Sequence, residues 1–205
     1  DGIISSAAIL QGLLSAGASG TEALVGVIAL TVVGSLSAAG AQYGEAAGER
    51  NIQVAILESE QQRLLHSPEE EFEELVEIYQ AKGLSPELSR AVATELHARD
   101  ALAAQLDAEF DMEHPAEKIW PFRFAMKAGL AFLAGSLGPL LLFLIMPFAI
   151  RGEVTLVVVA ISLTISGWIG ARSEHGNPWI SIARTVAIGL VTLGISSLAG
   201  SLVTF

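Results

Sequence analysis

Two kinds of sequence alternate in this chain, and that alternation limits the fold more than any motif does. Residues 45–118 hold 18 of the 22 Asp and Glu but only 6 of the 11 Lys and Arg. On either side the chain is mostly Gly, Ala, Leu, Ile and Val. Five apolar segments can be read, at 1–20, 23–47, 121–150, 154–171 and 179–205. A bilayer span needs about 20 predominantly apolar residues, and these runs are too long for ordinary core helices. Charged residues make up 16% of the chain, whereas a soluble domain carries about a quarter. The expected fold is therefore an all-α membrane protein. Five transmembrane helices would flank a three-helix cytoplasmic domain lying between the second and third spans. The corresponding divisions are 1–47, 48–118 and 119–205.

Charge sets the orientation and excludes some partners. Ten of the eleven basic residues fall on one side of a five-span topology, and only Arg151 falls on the other. Because basic residues are retained in the cytosol, the acidic block should be cytoplasmic. A net charge of −11 argues against a nucleic-acid partner. With no cysteine, disulfides and thiolate metal sites are excluded. No phosphate-binding loop, dinucleotide fingerprint or Ser-His-Asp pattern stands in a credible context, so no enzyme activity is expected. The first residue is Asp1 rather than Met, so the first span is expected to be shortened at its start.

The acidic block divides into helices. Span two should run on into water through Glu58, Glu60 and Arg63. Ser67-Pro68-Glu69-Glu70 reads as a helix start, with Ser67 as N-cap, Pro68 at the first position and Glu70 completing a capping box. Phe72, Leu75, Val76 and Tyr79 mark its apolar face, and Gly83 should close it. Ser85-Pro86-Glu87 opens a second helix with Leu88, Val92 and Leu96 on one face. A third covers about Asp100 to Asp111, ended by His114-Pro115. Span three should kink or end at Pro139 and Pro147. Trp120, Trp168 and Trp179 fall near span ends, as interfacial anchors do.

Clustered carboxylates are the strongest candidate chemistry. Glu70, Glu73, Glu74 and Glu77 share one helical face, and Glu71 with Glu74 makes an i, i+3 pair. Like charges so placed repel unless a cation lies between them, and Ca²⁺, Mn²⁺ and Fe²⁺ accept such oxygen ligands. The bland alternative is a solvated acidic face near a helix N-terminus. A second group comprises Asp107, Glu109, Asp111, Met112, Glu113 and His114. The scattered His66, His97, His114 and His175 lack zinc-site spacing. Polar groups within the apolar segments are few: Asp1, Gln11, Gln42, Tyr43 and Glu45. Intramembrane acids are costly and mark pathways, which makes Asp1, Gln42 and Glu45 the candidate transport pathway.

Asp1-Gly2-Ile3-Ile4-Ser5 resembles the opening of the first helix in the vacuolar iron transporter family. Gly34 to Ser37 and Ala38 to Tyr43 resemble that family's small-residue second span. Pro68 to Leu75, Ile78-Tyr79 and Lys82-Gly83-Leu84 are similar to its cytoplasmic metal-binding helix, and Arg184 to Gly189 to the start of its fifth span. The resemblance covers nearly the whole chain. It implies a homodimer of five-span subunits that moves Fe²⁺, and often Mn²⁺, out of the cytosol in exchange for protons. It also implies the metal residues Asp1, Glu60, Glu71, Glu74 and either Glu109 or Asp111. The departures from the family pattern are Ala38 in place of a Met, Gln42 in place of a Glu, and Arg63 as a charge reversal three residues after Glu60. The paired Met before the last acid are also absent. Loss of thioethers weakens preference for Fe²⁺ over harder ions.

The sequence thus predicts a multi-pass secondary transporter exporting Fe²⁺ or Mn²⁺ from the cytosol, with lipid, divalent metal and a second copy of itself as partners and no bound cofactor. Its membrane is either the plasma membrane or that of a vacuole-like organelle. Two alternatives stand beside this: a membrane-anchored metal sensor or buffer without transport, and a transporter of another solute whose acidic domain is structural.

Overall fold

The computed structural model describes residues 2–112, 114–145, 151–173 and 177–203, without the side chains of 151–156 and 173. Asp1, Glu113, Pro147 and His175 lie outside the described residues. Seven helices are present among those described: α1 (Gly2–Ser15), α2 (Gly20–His66), α3 (Pro68–Ala81), α4 (Pro86–Phe110), α5 (Trp120–Ile145), α6 (Arg151–Ser173) and α7 (Pro178–Leu202). They divide into two units, one formed by residues 1–42 with 124–205 and the other by 43–123.

In the first unit, three helices are long and apolar enough to cross a membrane: α2, α5 and α7. Gly2–Ser15 and Val157–Arg172 are shorter apolar helices. Large apolar side chains such as Val33, Leu36, Ile145, Ile195 and Leu198 are exposed, as expected where lipid is the solvent. The chain is an integral membrane protein. Small residues permit the tight contacts. Gly12 of α1 faces Ser196 of α7, and Gly200 of α7 lies against the backbone of Gly12. Ser196 Oγ donates to Ala8 O at 2.6 Å, and the Ser15 and Ser197 hydroxyls lie 2.9 Å apart. Small-xxx-small spacing on both helices (Ala8 with Gly12, Ser196 with Gly200) allows this backbone approach. Ala7, Ala8, Val159, Leu163 and Leu193 bind α1, α6 and α7 together, while Leu10, Ala23, Val27 and Phe143 bind α1, α2 and α5.

The turn between α1 and α2 falls earlier than the apolar pattern suggests, at residues 16–19 rather than 21–22. Gly17 adopts φ +86°. The amides of Gly17 and Ala18 reach back to Leu14 O and Leu13 O, a glycine-terminated helix end. Ser19 then starts α2: Glu22 Oε2 accepts from Ser19 N at 2.7 Å, and Ser19 Oγ accepts from Glu22 N at 3.4 Å. Pro139 does not end α5, which continues to Ile145. Surrounding helices can absorb the backbone group that an intramembrane proline leaves unpaired.

In the second unit, α2 continues unbroken to His66, as predicted. Ser67 alone separates it from α3. Pro68 stands at the first position, yet Ser67 makes no side-chain cap. With φ −138° and ψ 56° it lacks the extended backbone that aims a capping hydroxyl inward, and its N–H instead closes the preceding turn on Arg63 O. The predicted capping box is therefore not formed. Gly83 does close α3, at φ +100°, with its amide on Gln80 O and that of Leu84 on Tyr79 O. Ser85 Oγ caps α4 by accepting from Leu88 N. At Asp100 the backbone leaves the helix (φ −162°, ψ 99°). Asp100 Oδ1 accepts from Ala103 N and starts a fresh helix, where the sequence placed one. That helix ends at Asp111, in the left-handed conformation with φ 52°, before the His114-Pro115 break expected from sequence. Leu75, Val76, Ala93 and Ala104 form the core, flanked by Phe72, Tyr79 and Leu96. Leu88 is exposed, contrary to its place in the predicted apolar face. It sits in the first turn of α4.

Candidate functional site

Three helices of the second unit bring acids to one point. The last turns of α2 carry Glu60 and Arg63, α3 carries Glu71 and Glu74, and the end of α4 carries Gln105 and Glu109. Each pair is spaced i, i+3 or i, i+4, which puts its members on one helical face. The Arg63 guanidinium occupies the meeting point. Nη1 lies 3.1 Å from Glu60 Oε1 and 3.8 Å from Glu109 Oε2. Nε lies 2.8 Å from Glu71 Oε1, and Nη2 lies 2.5 Å from Glu74 Oε2. Glu60 and Glu71 are almost wholly buried, at 2% and 3% exposure. Gln105, equally buried, donates its Nε2 to Glu71 O at 2.6 Å and faces Glu71 Oε2 at 3.2 Å.

The electrostatics follow from four carboxylates facing one guanidinium. Burial pushes the Glu71 carboxyl above its usual range; Arg63 opposes this, and repulsion from Glu60 and Glu74 adds to it. Glu109 is raised by burial first, then by Glu60 and Glu74. Burial opposes the charge on Arg63, but Glu60, Glu71 and Glu74 together outweigh it and raise its pKa. Two buried atoms, Glu60 Oε2 and Gln105 Oε1, have no hydrogen-bond partner among the described residues. A recess of about 350 Å³ opens beside the cluster, lined by Gln62, Arg63, His66, Ser67, Glu70, Glu71 and Glu74.

Of the residues singled out from sequence, the structure brings Glu60, Glu71, Glu74 and Glu109 together. Asp111 is exposed at the end of α4 and makes no ion pair among the described residues. Glu73 forms a separate exposed bidentate pair with Arg90, at 2.9 and 2.6 Å. Among the described residues no three His, Asp or Glu side chains are disposed to hold a metal ion. The planar guanidinium explains this, because it spreads the four carboxylates around its three nitrogens instead of letting them converge on one point. Gln105 was missed from sequence. Its signals were a polar residue one helical turn before Glu109 and a place, with Leu106, among the candidate replacements for the paired Met of the resembled family.

In the membrane unit, Gln42 is half-buried and lines a second recess of about 360 Å³ with Gly2, Ala38, Ala41, Ala128, Ala131 and Phe132. Ser6 Oγ and Ser136 Oγ both donate to Gly2 O, at 2.7 and 3.3 Å, so the start of α1 is fixed against α5. Glu45, which belongs to the second unit, is exposed on α2.

A sequence profile of the VIT family matches residues 1–201. The chain belongs to the VIT family. A vacuolar iron transporter of Acanthamoeba castellanii is 30% identical over 194 residues, covering 87% of this chain and 73% of its own length. Vacuolar iron transporter 1 of Tulipa gesneriana is 31% identical over 193 residues, covering 92% and 77%. Vacuolar iron transporter 2 of rice is 31% identical over 193 residues, covering 92% and 78%.

Proposed function

We propose that this protein is a secondary transporter that moves a divalent metal, Fe²⁺ or Mn²⁺, out of the cytosol in exchange for protons. It works as a homodimer of five-span subunits, with the acidic unit on the cytosolic side. The observation that carries the reading is the recess between α1, α2 and α5. It is lined by Gln42 and small residues beside Gly2, the chain neighbour of Asp1. The Gln42 amide offers an oxygen of the kind hard divalent ions take, and Asp1, next to Gly2 in sequence, would add a carboxylate. The bias of basic residues supports the orientation, and relatives named as vacuolar iron transporters support metal as the cargo. Those names also favour a vacuole-like membrane. Ala38 on the recess wall offers no thioether, so Mn²⁺ should be carried about as well as Fe²⁺.

Reconstituted vesicles test this. Fe²⁺ and Mn²⁺ should enter protein-containing vesicles faster than empty ones, at a rate that depends on an opposed pH gradient and falls in Asp1→Asn. Metal binding without flux would favour a membrane-anchored sensor or buffer. Neither binding nor flux would favour a different solute.

A further inference from the structure

We infer that Arg63 is a tethered cation that occupies the carboxylate cluster of the acidic unit in place of a divalent ion. The unit then folds without metal, and a divalent ion binds there only by displacing the guanidinium. The inference concerns the acidic unit alone and stands whether or not the membrane unit transports metal.

The geometry carries the first half. Three of the four carboxylates, on two helices, each reach a different Arg63 nitrogen within 3.1 Å, and Glu109 from a third helix lies 3.8 Å away. A divalent ion would instead require the oxygens to converge on a single point about 2.0–2.6 Å from each. The guanidinium is planar and permanently charged, and its N–H donors point outward in different directions, so it holds the same acids in a wider ring.

Two further observations point to latent capacity for a cation. Glu60 Oε2 is buried without a partner, although its sister oxygen is already bound to Arg63. A buried carboxylate oxygen left unpaired is costly and is the kind of acceptor that an incoming ion satisfies. Gln105 Oε1 is in the same condition. The Arg63 side chain is 39% exposed, and it borders the adjoining recess with Glu70, Glu71 and Glu74. The guanidinium therefore has a way out, and a cation has a way in, without unpacking the Leu75 core.

The test is Mn²⁺ binding to the purified full-length protein in nanodiscs, followed by calorimetry and by Mn²⁺ electron paramagnetic resonance. Arg63→Gln should bind one Mn²⁺ more per chain than the parent protein, or bind it at least tenfold more tightly. Adding Glu71→Gln and Glu74→Gln to it should abolish the gain. A Mn²⁺ site in the membrane unit would persist in all three proteins, so failure of this inference is distinguishable from failure of the transport reading. Unfolding temperature gives the second measure. The parent protein should melt alike in chelator and in Mn²⁺ as far as the acidic unit is concerned. Arg63→Gln should melt lower in chelator and recover in Mn²⁺. If Arg63→Gln does not fold in either condition, the parent decides: a metal-independent transition of the acidic unit supports the inference and a metal-dependent one overturns it. Equal Mn²⁺ affinity at the cluster in parent and Arg63→Gln also overturns it.

Discussion

Replacing Gly200 by Ala should loosen the membrane unit, and the structure sets the size of the effect. A Cβ on Gly200 would lie 2.0 Å from Gly12 O, 2.9 Å from Gly12 C and 3.1 Å from Gly12 Cα. Ordinary carbon contacts begin near 3.4 Å, so α1 and α7 must part by about 1.4 Å along that line. The opposing atoms are backbone, and no rotamer change relieves them. The same displacement would carry the Ser196–Ala8 and Ser15–Ser197 hydrogen bonds, now 2.6 and 2.9 Å, beyond bonding range. Overpacking costs about 1–3 kcal/mol, and two intramembrane hydrogen bonds add about 0.6 kcal/mol each. Ala regains up to about 1 kcal/mol of helix propensity, leaving a net loss of about 2 kcal/mol and a fall in melting temperature of about 4–8 °C for a chain of this size. Gly194→Ala is the control, since a Cβ there meets nothing within 4 Å. It should melt at or slightly above the parent temperature. Differential scanning fluorimetry of the two variants in one detergent is the assay. Equal melting of Gly200→Ala and Gly194→Ala would refute the close crossing of α1 and α7.

Three further outcomes follow from the two sites and the acidic core. Glu71 has its folded pKa raised, so the folded state retains a proton that the unfolded chain has released, and stability falls as pH rises above the ordinary value of 4.5; Glu71→Gln, melted in chelator across that range, should show a flatter pH profile than the parent. Leu75 is fully buried, and Leu75→Ala should destabilise the acidic unit by about 3 kcal/mol, seen as early protease cleavage within 43–123 while the membrane helices stay protected. Gln42→Glu places a titratable carboxylate in the Gly2–Phe132 recess, and Mn²⁺ flux into vesicles should become more steeply pH-dependent; an unchanged profile would remove that recess from the pathway.

Legibility differed between elements for physical reasons. Helix ends controlled by local chemistry were readable. Gly83, Ser85-Pro86 and Asp100 act within a few residues of themselves, and they stop or start helices where the sequence placed those events. The Ser19-Gly20-Thr21-Glu22 box was equally local, yet the surrounding apolar run concealed it. Ser67 failed as a cap because a one-residue link between two helices left its backbone no room to extend. In the candidate site, the i, i+3 spacings of Glu60 with Arg63 and Glu71 with Glu74 could be read from sequence. That Arg63 stands inside the cluster could not, because the positions of Glu71, Glu74 and Glu109 around it depend on how α3 and α4 pack on the end of α2. Gln105 belongs to the same class, since its partner Glu71 lies 34 residues away in sequence.

Glutamates clustered on one helical face repel, and a cation among them relieves that repulsion. The structure supplies that cation from within the chain. A metal ion and a guanidinium both relieve the repulsion, but they couple the fold to different things. With a metal, the stability of the acidic unit would track metal concentration through ligand linkage. With Arg63, the counter-charge is covalently attached and its effective concentration is fixed by the length of one side chain. On the reading proposed here the acidic unit keeps its shape when the cytosol is poor in divalent ions, and selection of the transported ion falls to the recess that holds Gln42.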